Sequence, residues 1–412
     1  DSIAKPLYDR GLLAEYPPGS PFKILTGLVA LQEGVINEQT SVACNHGFSY
    51  ARGRFMRCHC HGGMLQLHRG IYESCNAFFG TSYMKTINKY VKPSYAVDVW
   101  SNHVKSFGLG QFMGYDLPTG RKGNIPDSKM YKKIYPNGGW RSTAIVSNAI
   151  GQGEVLMTPI QLANMMATVA NQGYYYTPHI IKKIEGRKID TKFTTKHVTT
   201  INKKYFKPMI EGLFDVYNFG TAYALKAEGI DICGKTGTAE NFAKIGGKRV
   251  QLEDHSIFVA FAPKDNPKIA VAVIVENAGF GATWAGPIAG LVMEKYLNDT
   301  LTKESKTKVD YLSNVDLMPE AIKAWYIRNN KTEMLSPIEY NNDELADIWD
   351  MEMLSETAPI KTKLDTIKKL DTARPPVQPK APAPRNKKAK ENALNPVQNK
   401  KKVNSKKNNV SI

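Results

Sequence analysis

Cysteine is scarce in this 412-residue chain. It has five, too few for a disulfide scaffold, and four of them, Cys44, Cys58, Cys60 and Cys75, crowd into one short window. No stretch approaches the roughly 20 consecutive apolar residues that cross a bilayer, and the opening Asp-Ser-Ile-Ala-Lys is no signal peptide. The chain therefore reads either as cytosolic or as a fragment without its anchor. Acidic residues are also in deficit, with 38 Asp and Glu against 55 Lys and Arg, for a formal net charge of +17. The excess is local: residues 374–412 hold 11 Lys and Arg against one Glu, so +10 of the +17 lies there. That tail has no aromatic residues interleaved with its lysines, which argues against nucleic acid as a partner, and its Pro-x-Pro repeats bury too little apolar surface to fold. It reads as a disordered, solvated tail, with attraction to anionic lipid or acidic polymer as the other reading.

What is present suits a folded enzyme. Hydrophobic residues make up 42% of the chain, an ordinary share for a globular protein, and the length allows about two or three domains. The organising stretch is Tyr16-Pro17-Pro18-Gly19-Ser20-Pro21-Phe22-Lys23. Pro17, Pro18 and Gly19 break any preceding helix, Ser20 suits an N-terminal cap, and Pro21 is tolerated in a first helical turn, where an N–H has no intrahelical partner. Ile24, Leu28 and Leu31 then recur at i, i+4 and i+7 and predict a buried helix. On it Ser20 and Lys23 are i and i+3 neighbours, which places a hydroxyl and an amine on one face.

Ser-x-x-Lys alone is weak, and Ser2…Lys5, Ser82…Lys85 and Ser305…Lys308 match it too. Ser20 is singled out by its company: Ser74-Cys75-Asn76, then Lys235-Thr236-Gly237-Thr238. S-x-x-K, S-x-N and K-T-G in that order resemble the penicillin-recognising serine enzymes. The stretch PLYDRGLLAEYPPGSPFK resembles the start of the transpeptidase domain of the class B penicillin-binding proteins, especially the elongation type called penicillin-binding protein 2. Pro21 stands where a threonine is common in the family.

The remaining chain is read in that light. Residues 1–15 are a linker, and 36–65, polar and rich in glycine, Cys and His, is irregular. Leu65 to Tyr90 returns to helical spacing with Ser74 and Asn76 near a bend. Gly151-Gln152-Gly153 and the helix after Thr158-Pro159 look like a stretch shared across the family; a Gly-x-Gly this short is no argument for phosphate binding. His255 to Ala262 and Ile269 to Glu276 form a strand pair, followed by an apolar helix from Ala285 to Leu297. The resemblance implies an α+β fold with an antiparallel five-stranded sheet flanked by helices and an all-helical subdomain. Residues 1–300 are assigned to that domain, lacking its N-terminal anchor and pedestal, 301–373 to a helical extension and 374–412 to the tail.

A serine hydroxyl is a poor nucleophile at neutral pH and needs a base within hydrogen-bond reach, so Lys23 has to be neutral. The resemblance implies further roles. Lys235 supplies positive charge that lowers the Lys23 pKa and, with Thr236 and Thr238, holds the substrate carboxylate, while Gly237 admits a close backbone approach. Ser74 relays a proton to the leaving amine, Asn76 bonds the substrate's peptide backbone, and the N–H groups of Ser20 and Thr238 form an oxyanion hole. Taken alone, Ser74 and Asn76 also read as helix caps and Lys235 as a solvated strand residue. The implied reaction is peptidoglycan D,D-transpeptidation through an acyl-serine at D-Ala-D-Ala, on the periplasmic face of the inner membrane in cell-wall elongation. β-Lactams would be inhibitors, and a membrane-embedded glycan polymerase and elongation-complex proteins would be partners. A D,D-carboxypeptidase and a non-catalytic β-lactam sensor are the alternatives. Glu73 and Glu154 stay open as bases for a deacylating water.

Cys44, Cys58, His61 and Cys75 form the candidate metal set, a Cys₃His zinc site of structural kind, with Cys60, His46 and His59 as possible substitutes. A disulfide and unpaired thiols are the competing readings. Cys233 reads as a buried strand residue.

Overall fold

The computed structural model describes residues 7–225, 229–245, 248–318 and 320–328. All of them lie in one compact unit, Asp1–Ser336; the tail and most of the expected extension lie outside the described residues.

The α+β expectation holds, and the sheet explains why. His255–Ala262 is its central strand, and every one of its eight residues is buried. It pairs antiparallel with Ile269–Val275 on one side and with Cys233–Ala239, which carries the Lys-Thr-Gly motif, on the other. Side chains alternate across a strand. Phe258, Ala260 and Ala262 therefore enter one core, with Ala285, Ala289 and Met293 of the helix Ala285–Asn298. Val259 and Phe261 enter the other, with Leu162, Met165 and Met166 of the helix Pro159–Ala170. Burying each such large apolar side chain stabilises the fold by about 1.5–3 kcal/mol.

Among the described residues this sheet has three strands rather than the five that the resemblance implies. Phe242–Ile245 and Lys248–Gln251 form a separate two-stranded pair, and among the described residues the segment before Ser20 makes an isolated bridge, Tyr16 to Met157. Pro17 and Pro18, which lack N–H groups, stop that bridge from growing into an edge strand.

The serine helix is Lys23–Gln32, preceded by a tight turn, Ser20–Phe22. Lys23 through Leu31 are all buried, so the helix is enclosed on every side, as its continuous apolar run predicts. Gly19, not Ser20, takes the cap position, at φ +61°. A Cβ at Gly19 would lie 2.6 Å from Thr238 O, and one at Gly237 would lie 2.5 Å from Pro21 Cδ. These two glycines let the serine turn press against the motif strand.

Residues 36–65 are ordered rather than irregular. Val42–Cys44 pairs with Gly63–Leu65, and Gly47–Ala51 pairs with Arg54–Arg57 as a hairpin. The helices Leu67–Tyr72 and Asn76–Asn88 follow, with Ser74 at the bend between them. Beyond the last core helix, Lys303–Ser313 and Glu320–Arg328 are helical.

The close approach at Gly237 gives a stability prediction. Gly237→Ala must push Pro21 and the serine turn away from the strand, an overpacking cost of about 1–3 kcal/mol. Thermal unfolding should show the melting temperature falling by several degrees; an unchanged value would mean that the turn does not depend on this contact.

Candidate active site

The three motifs meet in one cleft of about 700 Å³, lined by Ser20, Lys23, Ser74, Asn76, Thr236, Gly237 and Thr238. Lys23 Nζ lies 2.9 Å from Ser20 Oγ, 3.0 Å from Ser74 Oγ and 2.8 Å from Ser74 O. A carbonyl oxygen only accepts, so the amine must spend one hydrogen on Ser74 O. A neutral amine then has one more hydrogen for Ser74 Oγ and its lone pair for the Ser20 hydroxyl. Lys23 is 1% exposed, and burial lowers its pKa to about 8 against the opposing pull of the nearby cysteines, Cys58 first and then Cys75 and Cys60.

Ser74 is held for this contact in the left-handed region, at φ +57°. Such a conformation costs a non-glycine residue on the order of 1–3 kcal/mol. Hydrogen bonds on either side of the bend sustain it, Ser74 N–H to Ile71 O at 3.1 Å and Cys75 N–H to Gly70 O at 2.9 Å. Asn76 starts the next helix, and its Nδ2–H donates to Arg57 O at 2.7 Å, which commits part of the amide to the hairpin.

Lys235 faces Val259 in the sheet register and is as buried as Lys23. Its pKa lies well below the usual lysine range, first from burial and then from the charge of Lys23. Thr236 Oγ1 and Thr221 Oγ1 are hydrogen-bonded at 2.7 Å on the cleft wall.

The candidate metal set needs one correction. The four thiols that converge are Cys44, Cys58, Cys60 and Cys75, all buried, with sulfurs within 4.8 Å of one another. His61 stands outside: its side chain is 85% exposed and its Nδ1 is 3.5 Å from Glu73 Oε2. Residues 58 and 60 are buried while 59 and 61 are exposed, the two-residue alternation of an extended segment, so Cys60 takes the place assigned to His61. The Sγ separations of 3.4 Å for Cys44 and Cys60 and 3.2 Å for Cys58 and Cys60 are close to the edge of a tetrahedron with metal–sulfur bonds of about 2.3 Å. Cys58 also accepts the N–H of Asn76 at 3.1 Å, and its hydrogen bond from Cys75 is the main cause that brings its pKa down to about 4. A ready thiolate among four buried sulfurs suits a closed metal site.

Sequence reasoning missed most of the cleft wall. Tyr50, Phe55, Arg57 and His59 reach it from the hairpin region, Ser147 and Gln152 from around the Gly151 turn, and Phe280, Gly281 and Ala282 from a loop after the sheet. Gly151-Gln152-Gly153 carried a family signal without a role, and Gly151 O turns out to accept the Gly19 N–H at 3.0 Å. The two carboxylates considered as bases are engaged. Glu73 bonds Arg69 Nε at 2.6 Å and the His61 N–H at 3.0 Å, and Glu154 accepts from Tyr131 OH at 2.9 Å. Ser82 and Ser305 are decoys, donating to Phe78 O and to Glu294.

A family model described as the penicillin binding protein transpeptidase domain matches residues 2–296. The chain is 31% identical over 339 residues to the peptidoglycan D,D-transpeptidase MrdA of Haemophilus influenzae, covering 78% of this chain and 50% of that protein. It is also 31% identical over 342 residues to the protein of that name from Acinetobacter baumannii, covering 78% and 48%. The chain thus spans about half the length of the curated relatives it matches. Among solved structures, Pseudomonas aeruginosa PBP2 in complex with WCK 5153 superposes with a TM-score of 0.62 at 30% identity, covering 74% of this chain and 67% of that one. Helicobacter pylori PBP2 in its complex with MreC gives 0.60 at 27%, covering 73% and 53%.

Proposed function

Since the chain belongs to the penicillin-binding protein transpeptidase family, we propose that its cleft cross-links peptidoglycan stem peptides by D,D-transpeptidation through an acyl-Ser20 intermediate. The observation that carries this reading is the buried Lys23 amine within hydrogen-bond reach of both Ser20 Oγ and Ser74 Oγ. Lys23 takes the hydroxyl proton as Ser20 Oγ bonds to the carbonyl carbon of the penultimate D-Ala. The N–H groups of Ser20 and Thr238 stabilise the oxygen that gains charge. The C–N bond then breaks, and Ser74 passes the proton from Lys23 to the leaving D-Ala amine. An acceptor amine of a neighbouring stem attacks the ester, loses its proton by the same route, and frees Ser20.

Lys235 gains a sharper role than that of a fixed charge. Lys235 is held low by burial and then by the charge of Lys23, so a substrate carboxylate at Thr236 and Thr238 would bring a proton back onto Lys235 while Lys23 stays neutral as the base. Asn76 orients the substrate backbone from the hairpin side. Glu154 is hydrogen-bonded to Tyr131, and Glu73, although it lines the cleft, is held by Arg69 and the His61 N–H, which favours transfer to an amine over hydrolysis.

The site belongs outside the cytoplasm, where the polymer is built. Among the described residues no helix is long and apolar enough to cross a membrane. The MreC complex of the H. pylori relative supports elongation-complex proteins as partners, and the glycan polymerase is proposed beside them. β-Lactams are proposed to acylate Ser20 as mimics of the dipeptide.

Zinc is proposed for Cys44, Cys58, Cys60 and Cys75, where it would act as a structural crosslink. Such a crosslink would steady two parts of the site, since Cys44 and Cys58 flank the hairpin and Cys75 separates Ser74 from Asn76.

Fluorescent penicillin should label the wild type at Ser20 and leave Ser20→Ala unlabelled at an unchanged melting temperature; labelling of another serine would end the assignment. Metal analysis should find about one zinc per purified chain, lost in Cys60→Ser and kept in His61→Ala. Loss from His61→Ala with retention in Cys60→Ser would restore the Cys₃His set, and a disulfide among these cysteines in metal-free protein would remove the metal altogether.

A further inference from the structure

The central strand opens with a histidine that the chemistry above does not use. His255 is 9% exposed and stands opposite Ala239, at the end of the motif strand. Its Nδ1 accepts the N–H of Asn277 at 3.2 Å. A backbone N–H only donates, so Nδ1 is the ring's acceptor and a neutral ring carries its hydrogen on Nε2. Burial favours the neutral ring and lowers its pKa against the charges of Glu276 and Asp254. Tyr16 meets the ring edge-on, with centroids 5.3 Å apart, and its hydroxyl donates to Glu276 at 2.9 Å. Arg10 Nε holds the other oxygen of Glu276 at 2.8 Å, so that carboxylate is engaged from both sides.

Asn277 begins the loop that ends in the cleft. It sits at φ +57°, and its Oδ1 accepts from Asn241 Nδ2 at 2.6 Å. The N–H groups of Ala278 and Gly279 donate to Asp254 O at 3.0 and 2.8 Å. Ser256 Oγ donates to Phe280 O at 2.9 Å and accepts the Ala285 N–H at 3.1 Å. Three consecutive residues, Asp254, His255 and Ser256, thus hold the loop from its first residue to the start of the last core helix. The loop presents Phe280, Gly281 and Ala282 to the cleft, and a Cβ at Gly281 would lie 2.6 Å from Gly237 O. It is a wall built directly against the Lys-Thr-Gly strand.

We propose that His255 is a positioning residue for ligand recognition: its Nδ1 fixes Asn277 and thereby sets the loop that walls the cleft beside Thr236 to Thr238. The proposal rests on the acyl-transfer reading of this cleft. It assigns no reacting atom to His255. Loss of the acceptor leaves a half-buried N–H without its partner and frees a strained residue, so the loop should lose its place while Ser20, Lys23 and Ser74 keep theirs.

The test separates binding from acylation. Stopped-flow acylation by fluorescent penicillin, over a range of concentrations, gives the dissociation constant of the first complex and the first-order acylation constant. In His255→Leu, which keeps the bulk without the acceptor, the dissociation constant should rise about tenfold, as for a lost hydrogen bond, with acylation within about threefold. His255→Asn, whose Oδ1 offers an acceptor near the Nδ1 position, should restore binding to within about threefold of wild type. Unchanged binding in His255→Leu, a loss confined to acylation, or an Asn variant no better than Leu would overturn the proposal. Nitrogen-15 NMR of the wild-type ring decides the matter even if the Leu variant does not fold: Nε2–H with bare Nδ1 is expected, and Nδ1–H would overturn it. A wild type that is never acylated overturns the acyl-transfer reading and the recognition role with it, whereas normal acylation with an unaffected Leu variant overturns the role of His255 alone.

Discussion

A lysine amine taken out of water, with three oxygen atoms around it, is the constraint on which the site depends. Lys23 reaches Ser20 Oγ, Ser74 Oγ and Ser74 O only because three separate parts of the chain converge on it. The serine helix is enclosed on all sides, which removes solvent from Nζ. The left-handed bend at Ser74 turns a hydroxyl and a carbonyl of one residue toward the same nitrogen. The motif strand brings a second buried amine, Lys235, whose own pKa is lowered by burial and then by the charge of Lys23. Each feature is costly alone, and each is what the proposed role of Lys23 as a base near neutral pH would need.

The rest of the fold serves to hold those parts at fixed distance. The fully buried central strand carries the motif strand on one edge, and its first residues carry the loop that walls the cleft. Gly19 and Gly237 allow the serine turn to lie directly on that strand. On the opposite side the four-cysteine cluster lies at the root of the hairpin and within the Ser74-to-Asn76 bend. A cleft of about 700 Å³ between two clamped walls suits an extended peptide whose reacting carbonyl has to meet one hydroxyl.

Much of this was legible because the informative relationships are local. Ser20 and Lys23 are three residues apart across one helix start, Ser74 and Asn76 two apart at a bend, and Lys235 to Thr238 lie along one strand, so spacing keeps each pair together while the resemblance is what joins the three motifs. The strand pair and the last core helix were legible from apolar periodicity. What escaped depends on which distant segments touch. The choice of Cys60 over His61 is set by which residues of an extended segment face inward, and both spacings look like ligand patterns in one dimension. Phe280 to Ala282 and Gln152 lack chemistry in their own sequence context and become cleft residues only through tertiary placement. His255 reads as one more residue of a β-rich run, and the Asn277 N–H that defines it is 22 positions away. The five-stranded sheet was carried by resemblance rather than by residues, and that is where the expectation and the described strands part.

The pH dependence of acylation tests the central claim most directly. The acylation rate constant at low penicillin concentration reports ionisation in the free protein. If Lys23 is the base, deprotonation activates it, so the rate should be low below its pKa and rise about tenfold per pH unit as pH increases, to a plateau above a midpoint near 8. Lys23→Ala, with Ser20 intact, should lose this rise along with the rate. A wild-type rate that stays level between pH 6 and 9, or a Lys23→Ala variant that keeps the same profile, would contradict the account.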